Sequence, residues 1–143
     1  MALPDMPCWL TDFVSAREAL AHSDPNVVAK VVSLCQSGGL KFCNCERKDF
    51  RSDADVRKHF CDDQNCVCHT DGEIATIVSS IPDRVGGKKH HPSDLSARII
   101  AASAVHLGYG IVSSKNGIFT TPLDIGMSLN VVSLTLYDFI DEL

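Results

Sequence analysis

Apolar positions recur along this chain with two periods, and one stretch shows both in succession. Between Ser93 and Asn116, Leu95, Ile99, Ala102 and His106 fall on one line at helical spacing. Ile100, Ala104 and Leu107 fall on the line beside it, which predicts an amphipathic helix with a wide apolar face. Ser93 or Asp94 stands where an N-cap belongs, with Pro92 just outside, and Gly108 and Gly110 end the helix. Ile111-Val112 then begins a short buried strand that closes on Ser113, Ser114, Lys115 and Asn116. Nearer the N-terminus, Cys8-Trp9-Leu10 reads as a buried strand that ends at Asp12 and passes directly into a helix over 13–20. Asp24-Pro25 opens a second helix, carried by Val27, Val28, Val31, Val32 and Cys35 and stopped by Gly38-Gly39. Leu40 to Cys43 is a second strand. The charged run 47–60 predicts an exposed helix started by Ser52 or Asp53. Cys61 to His69 reads as a cysteine-rich loop, after which Thr70 or Asp71 caps a helix reaching about Ile81. The stretch 86–91 has no period and reads as a loop, and 117–130 as a loop or short helical turn. Val131 to Leu134 is a last strand, and Thr135 caps the closing helix.

Strands at 8–11, 40–43, 111–113 and 131–134, separated by helical segments, imply an α/β fold with a parallel sheet covered on both faces. The 143 residues suit a single domain over 1–143, with a Cys/His-rich insertion at about 59–70. Hydrophobic and charged fractions of 45% and 22% belong to an ordinary folded protein, and no apolar run is long enough for a membrane span. A net charge of −5 argues against broad attraction to nucleic acid, although Arg84, Lys88, Lys89, His90 and His91 make a local basic patch. The N-terminal residues do not resemble a secretory signal. With seven cysteines, this points to a reducing, cytoplasmic setting.

Candidate chemistry gathers at the predicted strand ends. Asp12 follows the first strand, Glu46 follows the second, and Asp94 opens the helix before the third. Strands of a parallel sheet all point one way, so acids distant in sequence can converge on one spot at their carboxyl ends. Clustered carboxylates are what Mg²⁺ or Mn²⁺ needs, and such an ion polarises a phosphoryl group and activates water for in-line attack. Acids at such places also simply cap helices and face water. A second cluster, Cys43, Cys45, His59, Cys61, Cys66, Cys68 and His69, could supply four ligands to Zn²⁺ or remain free thiols and imidazoles. Cys8 and Cys35 sit in apolar runs and read as core residues. Gly86-Gly87 follows a helix rather than a strand, so it is no phosphate loop of the dinucleotide type.

The segments CWLTDFVSAREAL with Asp12, GLKFCNCERKDF with Glu46 and SARIIAASAVHLGYGIVSSKNGIF with Asn116 together resemble the PIN-domain family, and NVVSLTLYDFIDEL looks like its closing strand and helix. The specific part of the resemblance is Ile99 to Asn116. It implies a three-layer α/β/α nuclease fold around a mostly parallel sheet of four to five strands. The implied activity is cleavage of RNA with Mg²⁺ or Mn²⁺, often as the toxin of a toxin–antitoxin pair. It further implies a cognate antitoxin protein and a homodimer as partners, and Asn116 as the residue assisting Asp12, Glu46 and Asp94 in catalysis. One position departs from the family pattern. The third acid usually stands three residues before Ile-Ala-Ala, where this chain has Ala97, and Asp94 lies one turn earlier on about the same helix face. The departure brings in a second reading, a non-catalytic PIN-like binding module with zinc as a structural ion.

Overall fold

The computed structural model describes residues 3–67, 72–89 and 94–143, and for Asp94 the backbone alone. Along the chain the elements are β1 (Trp9–Thr11), α1 (Phe13–Leu20), α2 (Pro25–Gln36), β2 (Leu40–Cys43), a 3-10 turn (Asn44–Glu46), α3 (Arg47–Ser52), α4 (Ala54–His59), α5 (Asp62–Asn65) and β3 (Cys66–Val67). There follow α6 (Gly72–Ser80), α7 (Asp94–Leu107), β4 (Gly110–Ser113), α8 (Pro122–Ser128), β5 (Ser133–Thr135) and α9 (Leu136–Glu142). The strands form a single sheet in the order β3-β2-β1-β4-β5, and every pairing is parallel. Trp9 lies between Leu40 and Gly110, and Thr11 between Phe42 and Val112.

Alternation along the strands feeds two cores on opposite faces. Trp9, Leu40, Phe42 and Val112 meet Ala16, Val31, Phe50, Val56 and Phe139, which come from α1, α2, α3, α4 and α9. Leu10, Cys43 and Ile111 meet Ala97, Ile100, Ala101 and Ala104 of α7 and Ile125 of α8. The result is the three-layer α/β/α arrangement expected, with the sheet in the middle.

Local signals placed most of these elements. Asp24 accepts from the Asn26 N–H at 2.9 Å and Pro25 is the first helical residue, so α2 starts where the sequence said. Thr135 accepts from the Asp138 N–H at 3.0 Å and starts α9. Gly108 ends α7 with φ +71°, a conformation that a residue with a side chain rarely adopts.

Three segments differ from the sequence reading. The charged run is two short helices rather than one exposed helix. Asp53 separates them and accepts from the N–H groups of Asp55 and Val56. Phe50, Val56 and Phe60 within it are buried, with the Phe50 ring stacked on Phe42 at 4.2 Å. Apolar burial at these three positions outweighs the polar residues between them. The cysteine-rich loop contains β3, where Cys66 and Val67 pair with Phe42 and Cys43. Asn65 holds it there. Its side chain is 1% exposed, donates to the carbonyls of Cys35 and Leu40, and accepts from the Cys61 N–H. Finally, the buried stripe of α7 is an alanine line around Ile100. Leu95 is 63% exposed, and His106 Nδ1 meets Glu73 of α6 at 3.0 Å. Small side chains let the helix approach the sheet closely and leave the larger residues outside the contact.

Candidate functional site

The strand order reverses direction at β1: β2 and β3 lie on one side, β4 and β5 on the other. In open parallel sheets the crevice beyond the carboxyl ends at such a switch point is where ligands bind. A cleft of about 200 Å³ lies there, bordered by Asp12, Glu46, Ser114 and Asn116 at the strand ends and by Ser96, Ala97 and Ile100 of α7.

Asp12 is the N-cap of α1. Its Oδ1 accepts from the Ser15 N–H at 3.1 Å and its Oδ2 from the Ser113 hydroxyl at 3.2 Å. Glu46 ends the 3-10 turn after β2, and its Oε1 accepts from the Phe13 N–H at 3.1 Å, the first residue of the same helix. Both carboxylates therefore terminate on the positively polarised start of α1. Burial pushes the Asp12 carboxyl above its ordinary value, against the lowering pull of its hydrogen bonds from Ser15 and Ser113. Burial and then the neighbouring Asp12 push Glu46 from 4.5 to about 8. Among the described residues neither makes an ion pair. The pair consequently retains a proton at neutral pH unless a cation replaces it.

A second layer of hydrogen bonds ties β4 to α1. Ser15 Oγ accepts from the Ser114 N–H at 2.8 Å, and the Ser114 hydroxyl donates to Glu18 Oε2 at 2.8 Å. Glu18 also borders the cleft and was absent from the sequence-based candidates. Its signal was available: positions 12, 15 and 18 repeat every three residues from an N-cap and share a helix face.

The other candidates are placed as follows. Asn116 borders the cleft, but its Oδ1 accepts from the N–H groups of Ile118 and Phe119 at 2.8 and 2.9 Å. Its carbonyl oxygen thus builds the loop after β4. Asp94 is the first residue of α7, whose early residues border the cleft; its side chain lies outside the described residues. Cys43 lies in the α7-side core and Cys45 packs against that core beside it. The Cys43 thiol donates to Asn44 Oδ1 and the Cys45 thiol to the Ser96 carbonyl, each at 3.9 Å. The interaction between the two sulfurs lowers Cys43 from the ordinary thiol range and, with burial, raises Cys45 above it. Cys66 packs against the opposite core. His59 ends α4, and Cys61 is exposed. Among the described residues no three His, Cys, Asp or Glu side chains are grouped to hold a metal; Cys68 and His69 lie outside them. Cys35 is a core thiol, pushed up to about 12 by burial. Lys88 of the 86–89 loop pairs with Asp124 at 2.9 Å and so serves α8 rather than the cleft. No described helix is long and apolar enough to cross a membrane.

Compared with models of known protein families the chain matches none, and no curated protein matches it.

Proposed function

We propose that the chain is a PIN-like, metal-dependent endoribonuclease, with Asp12 and Glu46 as the principal ligands of a Mg²⁺ or Mn²⁺ ion. The observation that carries this reading is the pair itself. Two carboxylates from different strands meet at the switch point of a parallel sheet, each raised toward its neutral form and neither neutralised by a described cation. One or two carboxylates with water and phosphate oxygens completing the shell is the donor set that Mg²⁺ takes. Bound there, the ion would supply Lewis-acid polarisation of a phosphodiester and a more acidic water. The protein's own part is positional. The Ser15 N–H and Ser113 hydroxyl fix the Asp12 carboxylate, the Phe13 N–H fixes Glu46, and the Ser15–Ser114–Glu18 bonds hold β4 against α1 so that the cleft keeps its width. Lys115 borders the cleft, where its ammonium group would meet the phosphate chain of an RNA. Asp94 as a third carboxylate rests on the family resemblance. A cognate antitoxin and a homodimer rest on the family resemblance.

Ala97 favours a second reading, a non-catalytic PIN-like binding module. It borders the cleft at the position where the family's third acid stands. Cleavage of structured RNAs in Mn²⁺ by wild type and by Asp12→Asn separates the two readings. The nuclease cleaves and loses activity with the substitution, whereas the binding module leaves RNA intact in both forms.

A further inference from the structure

A second cavity, of about 500 Å³, adjoins the acidic cleft and shares Glu18, Ser114 and Lys115 with it. Its far side is built by Leu136, Tyr137, Ile140 and Asp141 of α9. The sheet dictates this adjacency. Ser113 of β4 is in register with Thr135 of β5, so the residues that follow them, Ser114-Lys115 and Leu136-Tyr137, emerge side by side at the carboxyl edge that carries Asp12. Leu136 and Phe139 anchor α9 in the core, yet Tyr137 is 75% exposed. A large aromatic ring held on a fixed helix beside a cavity has area to offer a planar partner and no described aromatic ring of its own to stack on.

The charges define that partner. Glu18 and Asp141 border the cavity and disfavour a phosphate inside it, while their oxygens can accept from the N–H groups of a nucleobase or from a ribose 2′-hydroxyl. Lys115 stands between the two cavities, where the phosphate joining two nucleotides would pass. His22 Nδ1 accepts from the Asp24 N–H at 3.0 Å, which leaves its Nε2–H as a further donor at the rim.

We infer that this cavity is a nucleobase subsite for single-stranded RNA, in which a base flanking the bond to be cut stacks on Tyr137 while Lys115 holds the intervening phosphate. The inference rests on the ribonuclease reading for its substrate class, but its test does not depend on catalysis. Affinity for a short, fluorescein-labelled single-stranded RNA of mixed sequence is measured by anisotropy in the Asp12→Asn background. Tyr137→Ala in that background is expected to weaken binding about ten-fold, because base–aromatic stacking carries about 1–3 kcal/mol per base. Tyr137→Trp is expected to retain it, and duplex RNA, whose bases are already stacked, is expected to compete poorly. Equal affinities for the Ala and Trp variants overturn the subsite, and so does absence of binding in every form. The two ideas can fail separately. RNA cleavage by wild type together with an unchanged affinity in Tyr137→Ala removes the subsite and leaves the nuclease. Loss of affinity in Tyr137→Ala, with no cleavage by wild type in Mn²⁺, keeps the subsite and removes the nuclease.

Discussion

Glu46 is the residue whose environment makes the sharpest statement. Its carboxyl titrates near 8 in the fold and near 4.5 when free. Between those values the folded chain holds a proton that the unfolded chain has released, so this group makes stability fall as pH rises from about 4.5 to about 8. Glu46→Gln removes the titration. Its melting temperature is expected to decline less than that of wild type across this window, as differential scanning calorimetry at several pH values would show; parallel profiles would remove the shift. Asp12 is raised in the same direction and adds to the effect. Asp12 also caps α1, and Asn caps about as well as Asp, so Asp12→Asn should melt close to wild type. Asp12→Ala should lose about 1 kcal/mol in urea unfolding. That contrast separates the chemical role of the carboxylate from its structural one. Asp12 and Glu46 were legible in the sequence because acids just after short apolar strands have few other places to go. Asn65 was not legible. A polar residue in a charged, cysteine-rich stretch looks solvent-facing, and nothing local says that three backbone groups will converge on it. Asn65→Ala leaves those buried partners unmade and is expected to cost about 3 kcal/mol in equilibrium unfolding. A loss under about 1 kcal/mol would mean that water replaces the amide.

Among the elements, α7 and β4 were readable almost to the residue, because a helical period, a glycine stop and an apolar strand follow one another without conflict; the expected cap at Ser93 or Asp94 lies outside the described side chains. The first residue of β4 has a further requirement that pattern alone does not disclose. A methyl group on Gly110 would lie 2.5 Å from the ring of Trp9, the neighbouring residue on β1. Gly110→Ala should therefore push the central strands apart and destabilise the fold by about 1–3 kcal/mol, measurable as a lower urea midpoint. An unchanged midpoint would show that the Trp9 ring moves aside freely. β3 escaped the sequence reading for a different reason. Two residues carry no period, and their strand character comes from the edge of β2 and the Asn65 clamp rather than from Cys66 and Val67 themselves. Likewise the charged run 47–60 hid its burial, because Phe50, Val56 and Phe60 are too widely spaced to form an obvious stripe.

At the scale of the whole molecule, the reversal of strand order at β1 does most to create a site. It opens a crevice where the ends of β1, β2 and β4 bring Asp12, Glu46 and Ser113-Ser114 together from positions far apart in the chain. The parallel sheet was inferable from alternating strands and helices; the widths, partners and charge states at its carboxyl edge required three dimensions. A net charge of −5 gives the molecule no general attraction for RNA, so on the proposed ribonuclease reading affinity would come from local groups and from a cation at the acid pair. Mn²⁺ should therefore raise the melting temperature of wild type and not of Asp12→Asn. The rise should be larger at pH 8 than at pH 6, since the ion competes with the proton on Glu46. Equal rises in both proteins would place the ion elsewhere. The most direct test of the central claim is cleavage of a panel of structured RNAs in Mn²⁺ by wild type and Asp12→Asn, matched for melting temperature. Cleavage by wild type with none by Asp12→Asn is the predicted result, and equal cleavage by both proteins would contradict the assignment of the acid pair as the catalytic centre.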